Sequence, residues 1–330
     1  MDNPASPAPP PAAPGQTIVI DRRERAGCLR RLLWPVLILS VLMNLALINQ
    51  SGVVPRRLEE RYLAGDPLTA AKIAVVELDG VIFDPTVEHV LRQIRQARED
   101  KQVKAVVLRV DSPGGTVSGS DRIWRELATL KAAKKPVVAS MGGMAASGGY
   151  YVSAPADAIF AEPTTLTGSI GVIMELPRIH GLMEKLGVEM DTVAAGRWKD
   201  MGSMFRPMTD VERRRWQAMI DETYARFVRV VAQGRKLTRA DAEAVADGKV
   251  YTAEEAVKNR LVDQLGYLDD AIRDAQGRAK LDTVRVVRYA KPLGLSDLLM
   301  NLSAPRPQGV TIDAEALLRL QTPQMLLLAR

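Results

Sequence analysis

Histidine and cysteine are nearly absent from this 330-residue chain, which holds His89, His180 and Cys28 and no others of either kind. One thiol closes no intrachain disulfide, and Cys28 precedes the nearest apolar run, whereas a lipid-bearing cysteine would follow one. No His/Cys/Asp cluster has metal-ligand spacing. His89 lies in a helical pattern and His180 at a turn after Pro177-Arg178-Ile179, and neither has a glycine-rich setting, so a Ser-His-Asp triad is unsupported. Aromatic residues make up 5%, and no basic stripe is interleaved with them. Of the formal charge of +6, residues 1–61 carry +3, from eight Arg against five Asp/Glu; the other 269 residues are close to neutral. Nucleic acid is therefore a poor candidate partner. Also missing are the G-x-S-x-G nucleophile turn, a Gly-Lys-Ser/Thr phosphate loop and any repeat of 20–50 residues.

What is present begins with six prolines in residues 1–16, too polar and too broken to build a core. The region 1–27 reads as a disordered, basic leader. Arg22, Arg23, Arg25, Arg30 and Arg31 then precede an apolar run from Leu32 to Ile48. That length is at the short end for a membrane span. A cleaved signal peptide would show a shorter run and an Ala-x-Ala-like site, which Leu47-Ile48-Asn49-Gln50-Ser51-Gly52 does not offer. Residues 28–50 are therefore expected to be a retained transmembrane anchor. Five Arg before it and three after (Arg56, Arg57, Arg61) place the N-terminus on the cytoplasmic side and the body across the membrane. Residues 51–70 read as a linker.

From Lys72 onward, β-type runs alternate with helical periodicity. Ile73–Leu78, Val106–Val110, Pro136–Ser140 and Asp157–Ala161 read as strands; Thr86–Glu99, with Val87, Val90, Leu91, Ile94 and Ala97 on one face, and Ser118–Ala132 read as helices. This alternation predicts an α/β fold with parallel strands over 71–290. Thr209-x-x-Glu212 and Thr252-x-x-Glu255 are capping boxes; the first opens a helix to about Val231. Arg285–Tyr289 reads as a last strand. Residues 291–330 mix prolines with short apolar runs such as Leu326-Leu327-Leu328 and read as a flexible or partner-docked tail.

Chemistry is suggested by three glycine-rich turns and one lysine. Ser147 stands in Gly143-Met144-Ala145-Ala146-Ser147-Gly148-Gly149-Tyr150-Tyr151. It is either a helix N-cap or a nucleophile that its small neighbours leave accessible. Lys199, in Gly196-Arg197-Trp198-Lys199-Asp200, is either a solvated lysine or a base, provided that burial lowers its pKa. Asp111-Ser112-Pro113-Gly114-Gly115 is either an ordinary tight turn or an oxyanion donor. The third turn is Leu166-Thr167-Gly168-Ser169-Ile170-Gly171.

These segments, in this order, with Asp247-Gly248-Lys249-Val250-Tyr251 and Leu261-Val262-Asp263-Gln264-Leu265-Gly266 behind them, closely resemble the bacterial signal peptide peptidase A family of membrane-anchored serine peptidases. The similarity runs from about Lys72 to Asp274. It implies a ClpP/crotonase-like fold of stacked ββα units, with Ser147 as nucleophile, Lys199 as general base, Gly114 and Gly148 as oxyanion-hole amides and Ser169 orienting the lysine. It implies hydrolysis of extended apolar peptides, notably remnant signal peptides, without metal or cofactor, at the bacterial cytoplasmic membrane with the catalytic domain on the periplasmic or extracytoplasmic side. With one catalytic unit per chain, a homo-oligomeric ring is expected, and Ser147 and Lys199 could come from different subunits. Three rival readings are a partner-specific membrane protease of the same fold, a non-catalytic peptide-binding scaffold, and an acyl-CoA enzyme of the wider crotonase group.

Overall fold

The computed structural model describes residues 33–41, 43–44, 57–290 and 325–328. The chain divides into two units, 1–56 and 57–330. In the first, residues 33–41 and 43–44 are helical, and Leu33, Trp34, Val36, Leu37, Ile38 and Leu39 are all exposed. Asn44 turns its amide back on the helix and donates to the Ser40 carbonyl at 2.7 Å. Among the described residues no helix is long and apolar enough to cross a membrane. The leader expected over 1–27, and much of the anchor expected over 28–50, lie outside the described residues.

The second unit is built on a sheet of order β1-β11-β2-β3-β5-β6-β10. These strands are β1 (Glu59–Gly65), β2 (Lys72–Asp79), β3 (Val103–Ser112), β5 (Val137–Ala146), β6 (Ala158–Ala161), β10 (Gln264–Leu265) and β11 (Arg285–Ala290). From β11 to β10 all pairings are parallel. A parallel sheet is covered on both faces, and strand alternation sorts the side chains between them. Ala74, Val76 and Leu78 of β2, with Val106, Leu108 and Val110 of β3, join one core. Ile73 and Val75, with Ala105 and Val107, join the other. Against the first core pack α1 (Asp84–Glu99) and α2 (Val117–Ala132). Helix α8 (Leu268–Arg278) covers the second through Ala271, Ile272 and Ala275. Buried Gln93 on α1 is satisfied by the backbone of β2, accepting from the Glu77 N–H at 2.9 Å and donating to the Glu77 carbonyl at 3.1 Å.

The α/β reading therefore holds, with four adjustments. Residues 59–65, expected within a linker, form β1, which closes the sheet edge antiparallel to β11. Asp157, expected to start a strand, instead clamps β5: its N–H donates to the Val137 carbonyl at 2.7 Å and its carboxylate accepts from the Val137 N–H at 2.8 Å. His180 opens the short helix α4 (His180–Leu186) instead of lying in a turn. The helix expected to end near Val231 runs on as α5 (Asp210–Arg235), its Thr209–Glu212 capping box in place. The second expected box, Thr252–Glu255, also forms.

Two further groups of strands flank the site. Strand β7 (Leu166–Gly168) pairs in parallel with the last residues of β5 and antiparallel with β9 (Val250–Thr252). A separate sheet of order β4-β12-β8 joins β4 (Gly114–Thr116), β8 (Ile173–Met174) and β12 (Met325–Leu328).

Candidate active site

Ser147 sits between β5 and the short helix α3 (Gly148–Ser153), at φ 52° and ψ −111°. A non-glycine residue with such a backbone carries on the order of 1–3 kcal/mol of strain and persists only when its surroundings fix it. They do so here. The Ser147 N–H donates to the Gly168 carbonyl at 2.7 Å, and its own carbonyl accepts from the Tyr151 N–H at 2.8 Å. The Thr167 hydroxyl donates to the Ala145 carbonyl at 2.6 Å and holds β7 against β5.

The helix-cap reading of Ser147 is not what forms. Ser147 occupies the capping position of α3, but its side chain makes no cap hydrogen bond. The residue is wholly buried, and Oγ has no hydrogen-bond partner. A buried hydroxyl without a partner costs about 1–3 kcal/mol. Strain and an unsatisfied hydroxyl thus coincide at one serine.

Gly114 and Gly148 meet beside it. Gly114 has φ +102°, and a Cβ built there would fall 2.8 Å from the Gly148 nitrogen and 1.8 Å from the Leu327 carbonyl oxygen. Only glycine fits that point. A Cβ on Gly148 would fall 2.5 Å from Ser120 Oγ, whose hydroxyl donates to the Thr116 carbonyl at 3.0 Å. Gly148 is the first residue of α3, so its amide has no acceptor within the helix. The Gly114 amide donates to Ser112 Oγ at 3.1 Å. The turn is further tied to residue 82: the Ile82 N–H donates to the Gly114 carbonyl and the Thr116 N–H donates to the Ile82 carbonyl, both at 2.8 Å. Ser169, nearly buried and at φ 49°, directly follows the Gly168 carbonyl that holds Ser147, and its N–H donates to the Lys249 carbonyl at 2.8 Å. A cavity of about 450 Å³ opens beside Ser169, lined also by Ile173, Ile220, Asp221 and Tyr224.

Four of the five expected residues, Ser147, Gly148, Gly114 and Ser169, therefore converge. Lys199 does not join them. It is exposed and makes no bond to Ser147 Oγ. It belongs to a segment whose Leu182, Leu186, Val188, Met190, Val193 and Trp198 are all exposed. The next residue is firmly held: Arg206 donates through Nε to the Asp200 carboxylate at 2.5 Å and through Nη2 to the Asp200 carbonyl at 2.8 Å. Arg206 also bonds Glu212 at 2.5 and 3.0 Å, holding that carboxyl down to about 2. Ser112, Ser120 and Leu327 were not singled out by sequence reasoning. Ser112 lies inside a recognised turn, whereas nothing in sequence spacing ties Leu327 to a glycine two hundred positions earlier.

Comparison with known proteins gives a concordant picture. The profile of peptidase family S49 matches residues 129–282, and that of Clp protease matches residues 68–165. A putative protease of Methanocaldococcus jannaschii is 47% identical over 58% of this chain and 61% of its own length. A putative signal peptide peptidase SppA of Enterococcus faecium is 39% identical over 66% of this chain and 67% of its own. A putative protease of a Synechocystis species is 39% identical over 68% of this chain and 82% of its own. The chain thus spans about three fifths of the archaeal relative's length and most of the cyanobacterial one's.

Proposed function

The chain belongs to peptidase family S49, and we propose that it is a membrane-anchored serine endopeptidase that cuts extended apolar peptides, remnant signal peptides foremost, with Ser147 as nucleophile and Lys199 as general base. The observation that carries this reading is the buried, strained and unpartnered Ser147 hydroxyl beside the meeting point of Gly114 and Gly148. A capping or purely structural serine would have spent its hydroxyl on a hydrogen bond.

In this reading the neutral Lys199 amine takes the Oγ proton as Oγ bonds to the scissile carbonyl carbon. The oxyanion that forms faces the Gly114 and Gly148 amides. For this the Gly114 N–H exchanges its bond to Ser112 Oγ for one to the oxyanion. As the C–N bond breaks, Lys199 returns the proton to the leaving amine. Water, deprotonated in turn by Lys199, then attacks the acyl-serine ester, and as the C–Oγ bond breaks Lys199 passes that proton to Ser147 Oγ, freeing the acid product and restoring the neutral amine. Ser169 orients the lysine.

A lysine works as a base near neutrality only when desolvated, and Lys199 is exposed within one chain. The exposed apolar residues of its segment fit contact with a neighbouring copy, as expected for a homo-oligomeric ring in which Lys199 of one subunit serves Ser147 of the next. The all-exposed apolar helix of residues 33–41 supports anchoring in the cytoplasmic membrane. The Arg bias around it supports a cytoplasmic N-terminus, with the catalytic unit on the extracytoplasmic side. The test is hydrolysis of an unstructured apolar peptide. Ser147→Ala should lower kcat by at least about 10³-fold with the oligomer size intact; a variant that keeps wild-type turnover removes the nucleophile from this serine.

A further inference from the structure

Ser112 ends β3, two residues before Gly114, and the Gly114 N–H donates to Ser112 Oγ at 3.1 Å. A serine hydroxyl that takes the amide two residues on is a common stabiliser of turns. This one is wholly buried and lies where the parts of the candidate site meet. Across the sheet Ser112 pairs with Ala145 of β5, two residues before Ser147. Against its other side packs Gly149, the second residue of α3. A Cβ on Gly149 would fall 2.9 Å from the Ser112 carbonyl oxygen and 3.5 Å from Ser112 Cβ. Ser112 therefore touches the strand that carries Ser147, the helix that begins at Gly148, and the amide of Gly114.

A hydrogen bond weakens steeply as its donor angle closes, so one N–H serves one acceptor well. A bond to Ser112 Oγ and a bond to a developing oxyanion thus compete for the same Gly114 amide. The first stabilises the empty site, because a buried donor without a partner is costly. It stabilises the tetrahedral intermediate less, since there the amide has turned to the oxyanion. An interaction stronger in the ground state than in the transition state slows the chemical step.

We propose that Ser112 is a placeholder for the oxyanion: its Oγ holds the Gly114 amide while the site is empty and gives it up as the tetrahedral centre forms. This rests on the endopeptidase reading above, with Gly114 as an oxyanion donor, and deepens it. Ser112 is a positioning residue that acts on the reaction through Gly114 and does not touch the reacting atoms. Its hydroxyl trades turnover for stability, a balance common at active sites. Removing it should weaken the fold and strengthen the grip on the oxyanion, two effects of opposite sign.

The test uses the full chain with Ser112→Ala and with Ser112→Cys, whose sulfur fills the same place as a weaker acceptor. The probe is an apolar peptide boronic acid. Ser147 Oγ gives its proton to the base and bonds to boron, which becomes tetrahedral and negatively charged with no peptide bond broken. The matching peptide amide, planar and neutral at that end, is the control. Ser112→Ala should lower the boronate Ki by about tenfold and leave that of the amide within about twofold, although its urea midpoint falls. Ser112→Cys keeps the space filled, so it decides the matter if Ser112→Ala does not fold; it should lower the boronate Ki by about threefold. A serine that serves the turn alone predicts the reverse sign, a higher boronate Ki together with the lower midpoint. That result, or an unchanged Ki, overturns the proposal while wild-type cleavage stands. If the wild type neither forms the adduct nor cleaves an apolar peptide, the endopeptidase reading falls and this proposal falls with it.

Discussion

Ser147 shows how several weak local constraints fix one residue in a state it would not choose alone. The Gly168 carbonyl holds its N–H and the Tyr151 N–H holds its carbonyl, so the φ of 52° is imposed from both sides, and the hydroxyl is left with no bond to make. Gly114 matters for a different reason: it has no room for a side chain. Gly114→Ala would put a Cβ 1.8 Å from the Leu327 carbonyl oxygen and 2.8 Å from the Gly148 nitrogen, on a backbone at φ +102°. We expect it to cost about 1–3 kcal/mol of stability, read as a lower urea midpoint, and to abolish peptide cleavage. An unchanged midpoint with full turnover contradicts the account of this turn. At this scale the sequence was informative where glycines cluster, because crowding of small residues is itself a local signal. It left Ser147 open between cap and nucleophile, since a hydroxyl's hydrogen bonds depend on strands β5 and β7 coming together. It was silent on Ser112 and Ser120, which are ordinary serines until a turn brings them to Gly114 and Gly148.

The start of α5 does two jobs among the elements. Its capping box satisfies backbone amides at the helix end, and the same Glu212 receives Arg206, which also grips Asp200. The residue after Lys199 is thereby fastened to a stable helix, although the segment before it is exposed. Arg206 hydrogen bonds are the main cause of the lowered Glu212 pKa, about 2 against an ordinary 4.5. A depressed carboxyl pKa stabilises the fold fully above the ordinary value, and that stability is lost as pH falls from about 4.5 toward 2. Arg206→Met should therefore melt lower than wild type at pH 7, and the difference should shrink as pH falls from about 4.5 toward 2, where Glu212 becomes protonated in both. A constant difference in Tm from pH 7 to pH 3 would show that the ion pair is not its source. The capping boxes, the buried face of α1 and the parallel central strands were all readable, because each follows from residues within one turn or one strand. Strand β1 was not. Its alternation is polar enough, EERYLAG, to pass for a linker, and only pairing with β11, more than two hundred residues later, makes it a strand.

For the whole molecule, the single chain brings Ser147, Gly114 and Gly148 together while leaving Lys199, the expected base, exposed. A parallel sheet carries Ser147 at the C-terminal end of β5, where the turns of an α/β fold gather. The segment bearing Lys199 instead projects Leu182, Leu186, Val188, Met190, Val193 and Trp198 outward. Burying such residues against a second copy stabilises the contact by roughly 25 cal/mol per Å² of apolar area. The same contact would remove the water that keeps a lysine protonated. Neither consequence would be legible in one chain's periodicity, because contact with a second copy leaves no periodic signal within the segment. The tail falls in the same class. Leu326-Leu327-Leu328 reads as an isolated apolar run, and its place beside Gly114 comes from long-range strand pairing alone.

The most direct measurement of a site shared between subunits is mixed assembly. Ser147→Ala and Lys199→Ala chains, each inactive alone, are co-expressed in equal amounts and assayed on an unstructured apolar peptide after size-exclusion chromatography confirms mixed oligomers. If Lys199 of one subunit serves Ser147 of its neighbour, about a quarter of the sites in a symmetric ring regain both groups, and activity should return to about a quarter of wild type. Mixed oligomers no more active than the separate variants would contradict the shared site.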